Sequence, residues 1–287
     1  MSTGVILAFV SFLLFSIADA LVKVTGTGMP AFEIAFFTIL FSIIPVALTN
    51  RRHSWRNILK LKHPLLVHLR SVAIGLSGAC GIFALTQIAL ADYYAIAFTT
   101  PLFVTVLSVL FLGEKVAPHR WGLLLISFLG VLLVIRPGFD NVLAGHLTIL
   151  AGAGLTAVSN TILRKVAADE SPLSIVALGV LYGMIFNGVL MLPGFVMPSL
   201  AQLALFLGHG LCVGVAWLLM IQASTLAPAN AIAPTHYSQM IWAILFGALW
   251  FGEYPDWVAL VGLVIVVASG LLNVIAAAMP PRKRALA

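Results

Sequence analysis

Hydrophobic residues fall into ten long runs along the chain, separated by short joints that carry proline, glycine or charged residues. A helix that crosses the hydrocarbon core of a bilayer needs about 20 mostly apolar residues. Because the runs are too long and too uniformly apolar for barrel strands, the pattern predicts an all-α integral membrane protein with ten transmembrane helices. The runs are Thr3–Val22, Ala31–Leu48, Ser71–Leu90, Tyr94–Leu112, Pro118–Ile135, Gly145–Leu163, Pro172–Leu192, Leu200–Ala223, Ala229–Phe251 and Trp257–Met279.

The composition supports the membrane interpretation. Of the 287 residues, 62% are hydrophobic and 8% are charged, whereas soluble domains carry about 25% charged residues. This excludes an ordinary cytoplasmic enzyme, a disordered chain and a nucleic-acid-binding domain. The two cysteines, Cys80 and Cys212, lie in apolar runs and indicate neither a disulfide framework nor a metal site. The motif Ala18-Asp19-Ala20 imitates a signal-peptidase site, but no positive region precedes it, so we expect the first span to be retained.

The distribution of lysine and arginine predicts the orientation. With the N-terminus inside, 13 of the 15 basic residues fall on the inner side, including those of the loop 49–70 and of the tail 282–284. Only Lys23 and Arg136 fall outside. By the positive-inside rule we expect both termini in the cytoplasm of a bacterial-type inner membrane. An even number of spans is needed to bring the basic tail to that side.

The chain contains two copies of one pattern. Gly113-Glu114 closes the fourth span, and Gly252-Glu253 closes the ninth span 139 residues later. Further residues match at offsets of 140 or 141: Gly122 with Gly262, Gly130 with Gly270, Gly4 with Gly145, Asp19 with Asn160, and Lys23 with Arg164. We therefore predict two repeats, 1–139 with spans one to five and 140–287 with spans six to ten.

Five spans in each repeat force the second copy to enter the membrane from the opposite side. Such inverted repeats are common in secondary transporters, which bind substrate near the midplane where the halves meet. The alternative interpretation is a duplication that merely built a larger helical bundle. The inversion favours the transporter.

Two longer segments carry a family resemblance. The first half contains AFTTPLFVTVLSVLFLGEKV at 97–116, and the second contains APTHYSQMIWAILFGALWFGEYP at 233–255. Both resemble EamA domains of the drug/metabolite transporter superfamily, and the resemblance covers essentially the whole chain. It implies ten helices, a central cavity lined from both halves, and transport of small metabolites. Members of this superfamily include amino-acid exporters and carriers of riboflavin or S-adenosylmethionine.

The second copy departs from the first at one proline. Met240 stands where the first half has Pro101. A proline removes a backbone donor and kinks a helix. We therefore expect a proline kink at this level in span four only.

Polar and aromatic residues within the spans are candidates for lining the cavity, because such groups are costly in hydrocarbon and usually face a cavity or a partner. Span nine is the most polar. Core packing is favoured over cavity lining for the candidates on spans three, four and eight, and helix–helix hydrogen bonding is an equal alternative for span six. The predicted substrate-binding residues are His236, Tyr237, Gln239 and Trp242 on span nine, Thr99 and Thr100 on span four, Phe83 and Gln87 on span three, Asn160 on span six and Trp217 on span eight.

Two residues are candidates for proton coupling, Asp19 and His236. Ser16, Asp19 and Lys23 share one face of span one. Asp19 could form an i,i+4 pair with Lys23 at a helix end. Alternatively it is a carboxylate in the outward vestibule that holds a proton or an ammonium group. Both interpretations stay open.

We interpret the repeated glutamates, Glu114 and Glu253, as structural residues. Together with Pro101 they make up the structural repeat motif. A carboxylate at a helix C-terminus is poorly placed for the helix dipole. We expect Glu114 and Glu253 to accept hydrogen bonds from free amides at the start of the next helices, near Pro118 and Asp256.

The leading hypothesis is a secondary transporter that exports small metabolites, above all amino acids, by alternating access. A lining of aromatic and neutral polar groups suits a zwitterion with an apolar side chain. The alternative is an uptake carrier for riboflavin, S-adenosylmethionine or a similar metabolite. An integral membrane enzyme is a remote alternative, because GxxxxGK[ST], HExxH and GxSxG are all absent from the sequence. We expect a small-molecule substrate and the lipid bilayer as partners, with no cofactor, metal or nucleic acid; the oligomeric state stays open.

Overall fold

The computed structural model describes residues 3–49, 60–135, 144–167 and 169–278. All regular secondary structure in these ranges is helical, which confirms the all-α class. Most of the basic loop, the joint between the repeats, Arg136 and the basic C-terminal tail lie outside the described residues.

The helices begin and end close to the hydrophobic runs. Short 3-10 turns occupy Gly26–Gly28, Leu192–Gly194 and Ala233–Tyr237. The α-helices of the described ranges are α1 (Thr3–Thr25), α2 (Ala31–Thr49), α3 (Pro64–Gln87), α4 (Leu90–Ala97), α5 (Thr100–Leu112), α6 (Pro118–Ile135), α7 (Ala144–Val166), α8 (Pro172–Met191), α9 (Leu200–Leu226), α10 (Ala229–Ile232), α11 (Ser238–Phe251) and α12 (Trp257–Ala278).

Within the described residues, nine segments are long and apolar enough to cross a membrane, and one of them, Leu90–Leu112, combines α4 and α5. The ninth predicted span is divided into α10, a 3-10 turn and α11, so none of its pieces reaches the length of a span. Together these segments account for the ten predicted spans. Many large apolar side chains on their outer faces are exposed, among them Leu110, Leu200 and Leu249, as hydrocarbon contact requires.

Spans four and nine are both broken, at corresponding positions of the two repeats. The break in span four lies at Phe98 and Thr99, and in span nine α11 begins at Ser238 after the 3-10 turn. Thr99 and Ser238 are 139 residues apart. The expectation of a kink in span four only was therefore wrong. Pro101 opens α5 and Pro234 opens the 3-10 turn, so each proline begins a segment where its missing amide costs little.

The helices pack in pairs that follow the repeat. Helix α1 packs on α9 as α7 packs on α3, and α6 packs on its own counterpart α12. Gly4 at the start of α1 lies so close to Ala227 that an added Cβ would come within 2.7 Å of its side chain. Its repeat mate Gly145 at the start of α7 has the same relation to Gln87, at 2.8 Å. Small residues therefore allow both helix starts to dock closely.

The buried core centres on the short helix α4. Tyr94, Ile96 and Phe98 are buried and cluster with Met240 of α11 and Val266 of α12. Helix α4 is thereby enclosed between the two repeats, and the polar groups that it carries face the boundary between them.

Candidate functional site

One phenol oxygen joins three helices at the boundary between the repeats. Tyr94 Oη donates to Asp19 Oδ2 at 2.5 Å and accepts from Gln239 Nε2 at 3.3 Å. Ser16 Oγ lies 3.3 Å from the same oxygen. Since Tyr94 has a single proton and gives it to Asp19, Ser16 is the donor in that contact. We call these four residues the Tyr94 hub.

Local structure explains why the four side chains converge. Ser16 and Asp19 are three residues apart on α1 and share a face. Gln239 stands in the first turn of α11, directly after the break in span nine. Tyr94 stands on α4, whose first amide, Leu90 N, donates to Glu253 Oε2 at 3.2 Å. The hub thus depends on both broken spans.

Aromatic rings lie beside the hub. The His236 ring stacks on Phe12 with 4.7 Å between centroids, and Phe98 meets it edge-on at 5.2 Å. Phe98 also contacts Tyr237 at 5.0 Å. His236 is exposed even though these rings cover two of its sides. Part of the His236 ring is therefore left uncovered by the protein beside the hub.

Trp242 extends this aromatic surface along α11. Its indole lies edge-on to Phe9 of α1 at 5.7 Å. Its Nε1 and the hydroxyl of Ser238 are buried and have no hydrogen-bond partner within the described part of the chain. Buried donors are normally paired, so these two groups have unused hydrogen-bonding capacity in the present state.

The structure brings four of the ten predicted binding residues together at this site. Gln239 is part of the hub, and His236, Tyr237 and Trp242 form the adjacent aromatic surface. The possible coupling residue Asp19 is also in the hub. Span nine was thus a good guide to the residues that meet here.

The threonines of span four have a more local role. Thr99 Oγ1 and Thr100 Oγ1 donate to the carbonyl oxygens of Ile96 and Ala97, each at 2.7 Å. Ala97 O has no helical amide donor, because Pro101 lacks the proton, and Ile96 O also accepts from Thr99 N at 2.9 Å. The threonines therefore stabilise the break and lie next to the aromatic surface.

Four other predicted binding residues stand apart from the hub. Gln87 is exposed and lines a separate groove at the end of α3. Trp217 is exposed on α9, with its ring edge-on to Phe15 at 5.8 Å. Asn160 and Phe83 are half-buried on α7 and α3, and neither is among the hydrogen-bond partners of Tyr94.

Sequence reasoning missed the central residue of the site. Tyr94 stands at the start of the fourth apolar run, where we treated it as a boundary. Phe12 and Phe98 were also passed over, because an aromatic residue in an apolar run has no distinguishing spacing. One signal was present: Phe9, Phe12, Ser16 and Asp19 follow one another at three- and four-residue intervals on α1 and so share a face.

Lys23 pairs across the repeats and not with Asp19. Its Nζ lies 2.7 Å from Glu253 Oε1, and it also donates to the carbonyl oxygen of Ile88. Of the two interpretations left open for Asp19, the i,i+4 pair with Lys23 is not the one found, because Asp19 turns to Tyr94 and Glu253 reaches Lys23 from the turn after α11. Glu253 does accept a helix-start amide, that of Leu90 on α4.

Glu114 makes the corresponding ion pair. Arg164 Nη1 lies 3.0 Å from Glu114 Oε2 and 3.0 Å from Ser108 Oγ. The expected bond between Glu114 and amides near Pro118 is replaced by this contact with α7. A guanidinium offers several donors in a fixed plane. Through Nη1, Arg164 contacts both the Ser108 hydroxyl in α5 and the Glu114 carboxylate that follows α5.

A large groove opens at the Glu253 end of the bundle. Its volume is about 1130 Å³, and its polar lining includes Lys23, Gln87, Asp92, His146 and Glu253. His146 Nε2 lies 3.7 Å from Asp92 Oδ2. The groove is distinct from the Tyr94 hub, since none of the four hub residues lines it.

The EamA-like transporter family matches residues 2–136 and 143–275. The chain belongs to this family. Since the match covers both halves, the resemblance inferred from the two sequence segments is confirmed.

Similar proteins are named as transporters. The S-adenosylmethionine uptake transporter of Rickettsia bellii is 27% identical over 88% of this chain and 87% of its own length. The pseudopaline exporter CntI of Pseudomonas aeruginosa (strain UCBPP-PA14) is 28% identical, covering 94% and 95%. The riboflavin transporter of Rhizobium johnstonii is 28% identical, covering 82% and 76%.

A solved crystal structure shares the fold, with a TM-score of 0.66 and 18% sequence identity over 96% of this chain and 97% of the other. The family and its named members make this chain a multi-pass transporter of the drug/metabolite superfamily. The relatives' names cover chemically different molecules, one taken up and another exported, so membership alone specifies neither cargo nor direction.

Proposed function

We propose that this chain is a secondary transporter that exports amino acids by alternating access. The Tyr94 hub is the observation that carries the proposal. It places one carboxylate, Asp19, among neutral polar groups and beside the rings of Phe12, Phe98 and His236. Apolar surroundings with a few convergent polar groups are typical of small-molecule sites.

An amino acid has three parts that match this arrangement. Its ammonium group would bind Asp19, where a charge-assisted hydrogen bond is strong. Its carboxylate would accept from the unpartnered Trp242 Nε1 and from Ser238. An apolar side chain would lie against the aromatic rings, which remove it from water.

We further propose that Asp19 and His236 couple transport to protons. A proton and a substrate ammonium would compete for the same Asp19 oxygens, so binding one releases the other. If both Asp19→Asn and His236→Gln keep the wild-type pH dependence of transport, this coupling is refuted and gradient-driven facilitation is preferred.

The proposed setting is a bacterial-type inner membrane with both termini in the cytoplasm. Repeats 1–139 and 140–287 would enter the membrane in opposite directions. This orientation is supported by the basic residues, 13 of 15 of which then lie inside.

Uptake of S-adenosylmethionine, riboflavin or a similar metabolite is the second candidate. The stack of Phe12 and His236 with Phe98 at its edge favours it, because planar heterocycles stack on aromatic rings. A cationic ligand would also be attracted to both the rings and Asp19.

Efflux from proteoliposomes tests the proposal. Vesicles that contain the folded protein are loaded with labelled apolar amino acids, and initial efflux is compared with that from protein-free vesicles. We expect saturable efflux, reduced about tenfold or more by Asp19→Asn because a hydrogen bond to a charged group is lost. No efflux of any amino acid, together with uptake of labelled S-adenosylmethionine or riboflavin, would favour the second candidate.

A further inference from the structure

The two interhelical ion pairs of the repeats are counterparts of each other. Lys23 matches Arg164 at an offset of 141, and Glu253 matches Glu114 at an offset of 139. In one pair the cation ends α1 and the anion follows α11; in the other the cation ends α7 and the anion follows α5. We call them the Glu253 latch and the Glu114 latch.

The latches lie at opposite ends of the bundle. Gly145, at the start of α7, packs against Gln87 and Ile88 beside Lys23. Arg164 stands near the other end of this 23-residue helix. At 1.5 Å per residue the two ends of α7 are about 30 Å apart, which is the thickness of the hydrocarbon core. Each latch therefore lies at a different end of the helix bundle. We call these two ends of the proposed transport pathway its mouths.

The two latches differ in burial. The side chains of Lys23 and Glu253 are 11% and 28% exposed, whereas those of Arg164 and Glu114 are 53% and 44% exposed. The Glu253 latch also holds the joint between α3 and α4 from both sides, through the Ile88 carbonyl and the Leu90 amide. The Glu253 latch is thus less exposed and is bonded to the start of broken span four, whereas the Glu114 latch is more exposed to solvent.

The repeat indicates what the Glu114 latch would hold. The joint between α9 and α10 corresponds to that between α3 and α4, since Ala227 N donates to Ala223 O as Ile88 N donates to Ala84 O. By the same offset, Ala227 O is the counterpart of Ile88 O and the amide of Ala229 is the counterpart of Leu90 N.

We propose that the two latches alternate during transport. In the present state the Glu253 latch is the less exposed of the two, borders the groove and fastens the α3–α4 joint. In the opposite state Arg164 binds Ala227 O, Glu114 caps α10 at Ala229, and the Glu253 latch opens and becomes solvated. This deepens the proposed function, because it rests on alternating access, and it assigns the gating of each mouth to one named pair.

Equal chemistry at the two ends makes such an exchange feasible. Burying an ion pair costs desolvation that its Coulomb attraction roughly repays. Because both latches consist of one carboxylate and one cation, exposing one while burying the other changes the free energy little. A transporter needs two states of similar free energy, since a ligand can shift only an equilibrium that is nearly balanced.

Distances across the two mouths test the proposal. Spin labels are attached to repeat-matched exposed positions, by Val24→Cys with Tyr254→Cys at one mouth and Lys165→Cys with Lys115→Cys at the other. The native cysteines, Cys80 and Cys212, are first replaced by serine. Electron–electron dipolar spectroscopy then gives the distance distribution at each mouth in reconstituted protein without substrate.

The variants remove one charge at a time. Glu253→Gln keeps an oxygen that can cap α4, so it isolates the ion pair. We expect it to lengthen the Val24–Tyr254 distance and to shorten the Lys165–Lys115 distance, with the open population at the first mouth raised about threefold or more. Glu114→Gln should move both distances the opposite way, by a smaller factor because its pair is more exposed.

Two further variants secure the test. Lys23→Gln removes the cation of the same latch and should have the effect expected of Glu253→Gln. It therefore tests this latch even if Glu253→Gln fails to fold. Asp169→Asn removes one carboxylate charge from an exposed pair with His63 and should leave both distances unchanged.

The proposal is overturned if either latch variant leaves both distributions unchanged, or if both mouths move in the same direction. The result does not depend on cargo, because no substrate is present. Failure of amino-acid efflux with opposite shifts at the mouths would refute the cargo alone, and efflux without the shifts would refute the latches alone.

Discussion

Replacing Tyr94 by phenylalanine removes one oxygen atom that joins three helices. The ring of Tyr94 is buried, so the variant keeps the packing of α4 and leaves Asp19, Ser16 and Gln239 without their common partner. The change therefore separates the polar role of the hub from its shape.

The expected magnitude follows from the bonds that are lost. The bond to Asp19 involves a carboxylate and contributes about 1.5–3 kcal/mol, and each neutral bond contributes about 1 kcal/mol. Water that enters from the accessible side near His236 offsets part of this loss. We expect Tyr94→Phe to lower the free energy of unfolding by about 1–3 kcal/mol and kcat/KM for transport by about tenfold or more.

Two measurements check this expectation: initial transport rates in proteoliposomes and thermal unfolding of the purified protein. Tyr93→Phe is the matched control, because Tyr93 is adjacent in sequence and its ring lies 5.2 Å from that of Tyr94 but outside the hub. It should change stability by about 0.5 kcal/mol or less. Wild-type kinetics in Tyr94→Phe, or equal losses in both variants, would refute a role for the hub in transport.

Three further expectations follow. Gly130→Ala should destabilise the protein by about 1–3 kcal/mol in thermal unfolding, because its Cβ would lie 2.9 Å from a carbonyl oxygen of α12; Gly122→Ala, with no atom within 4 Å of its Cβ, should be neutral. Gln239→Ala should raise the KM for transport about tenfold, whereas Gln87→Ala, which lies in the groove, should change it less than about twofold. Asp19→Asn should flatten the pH profile of initial transport rates, and an unaltered profile would count against coupling through this carboxylate.

Much of the fold was predictable because it depends on periodic or additive features. The number of spans follows from run lengths, since hydrocarbon tolerates only segments whose backbone is internally hydrogen-bonded. The repeat follows from matched spacings such as Glu114 and Glu253. The family follows from the same repeat, and its match covers both halves.

Breaks and partners were harder to predict. The proline rule located the break in span four but missed the one in span nine, because Met240 stands at the position that matches Pro101 and the proline of span nine, Pro234, lies six residues earlier. Sequence spacing offered Lys23 its neighbour Asp19 as one possible partner, whereas the carboxylate that it contacts is on Glu253, 230 residues away. Local spacing cannot rank a neighbour on the same helix against a group on another.

The amino-acid sequence thus determined the helical membrane fold, its duplication and the polar character of span nine, because these depend on hydropathy and spacing along the chain. Tertiary structure decided which groups meet: Tyr94 with Asp19, Ser16 and Gln239, and each repeated glutamate with the cation of a distant helix. Which side chains come into contact depends on the rotation of each helix about its axis and on its depth in the membrane. Those are set by close packing at sites such as Gly4 and Gly145, and they leave no periodic trace in the sequence.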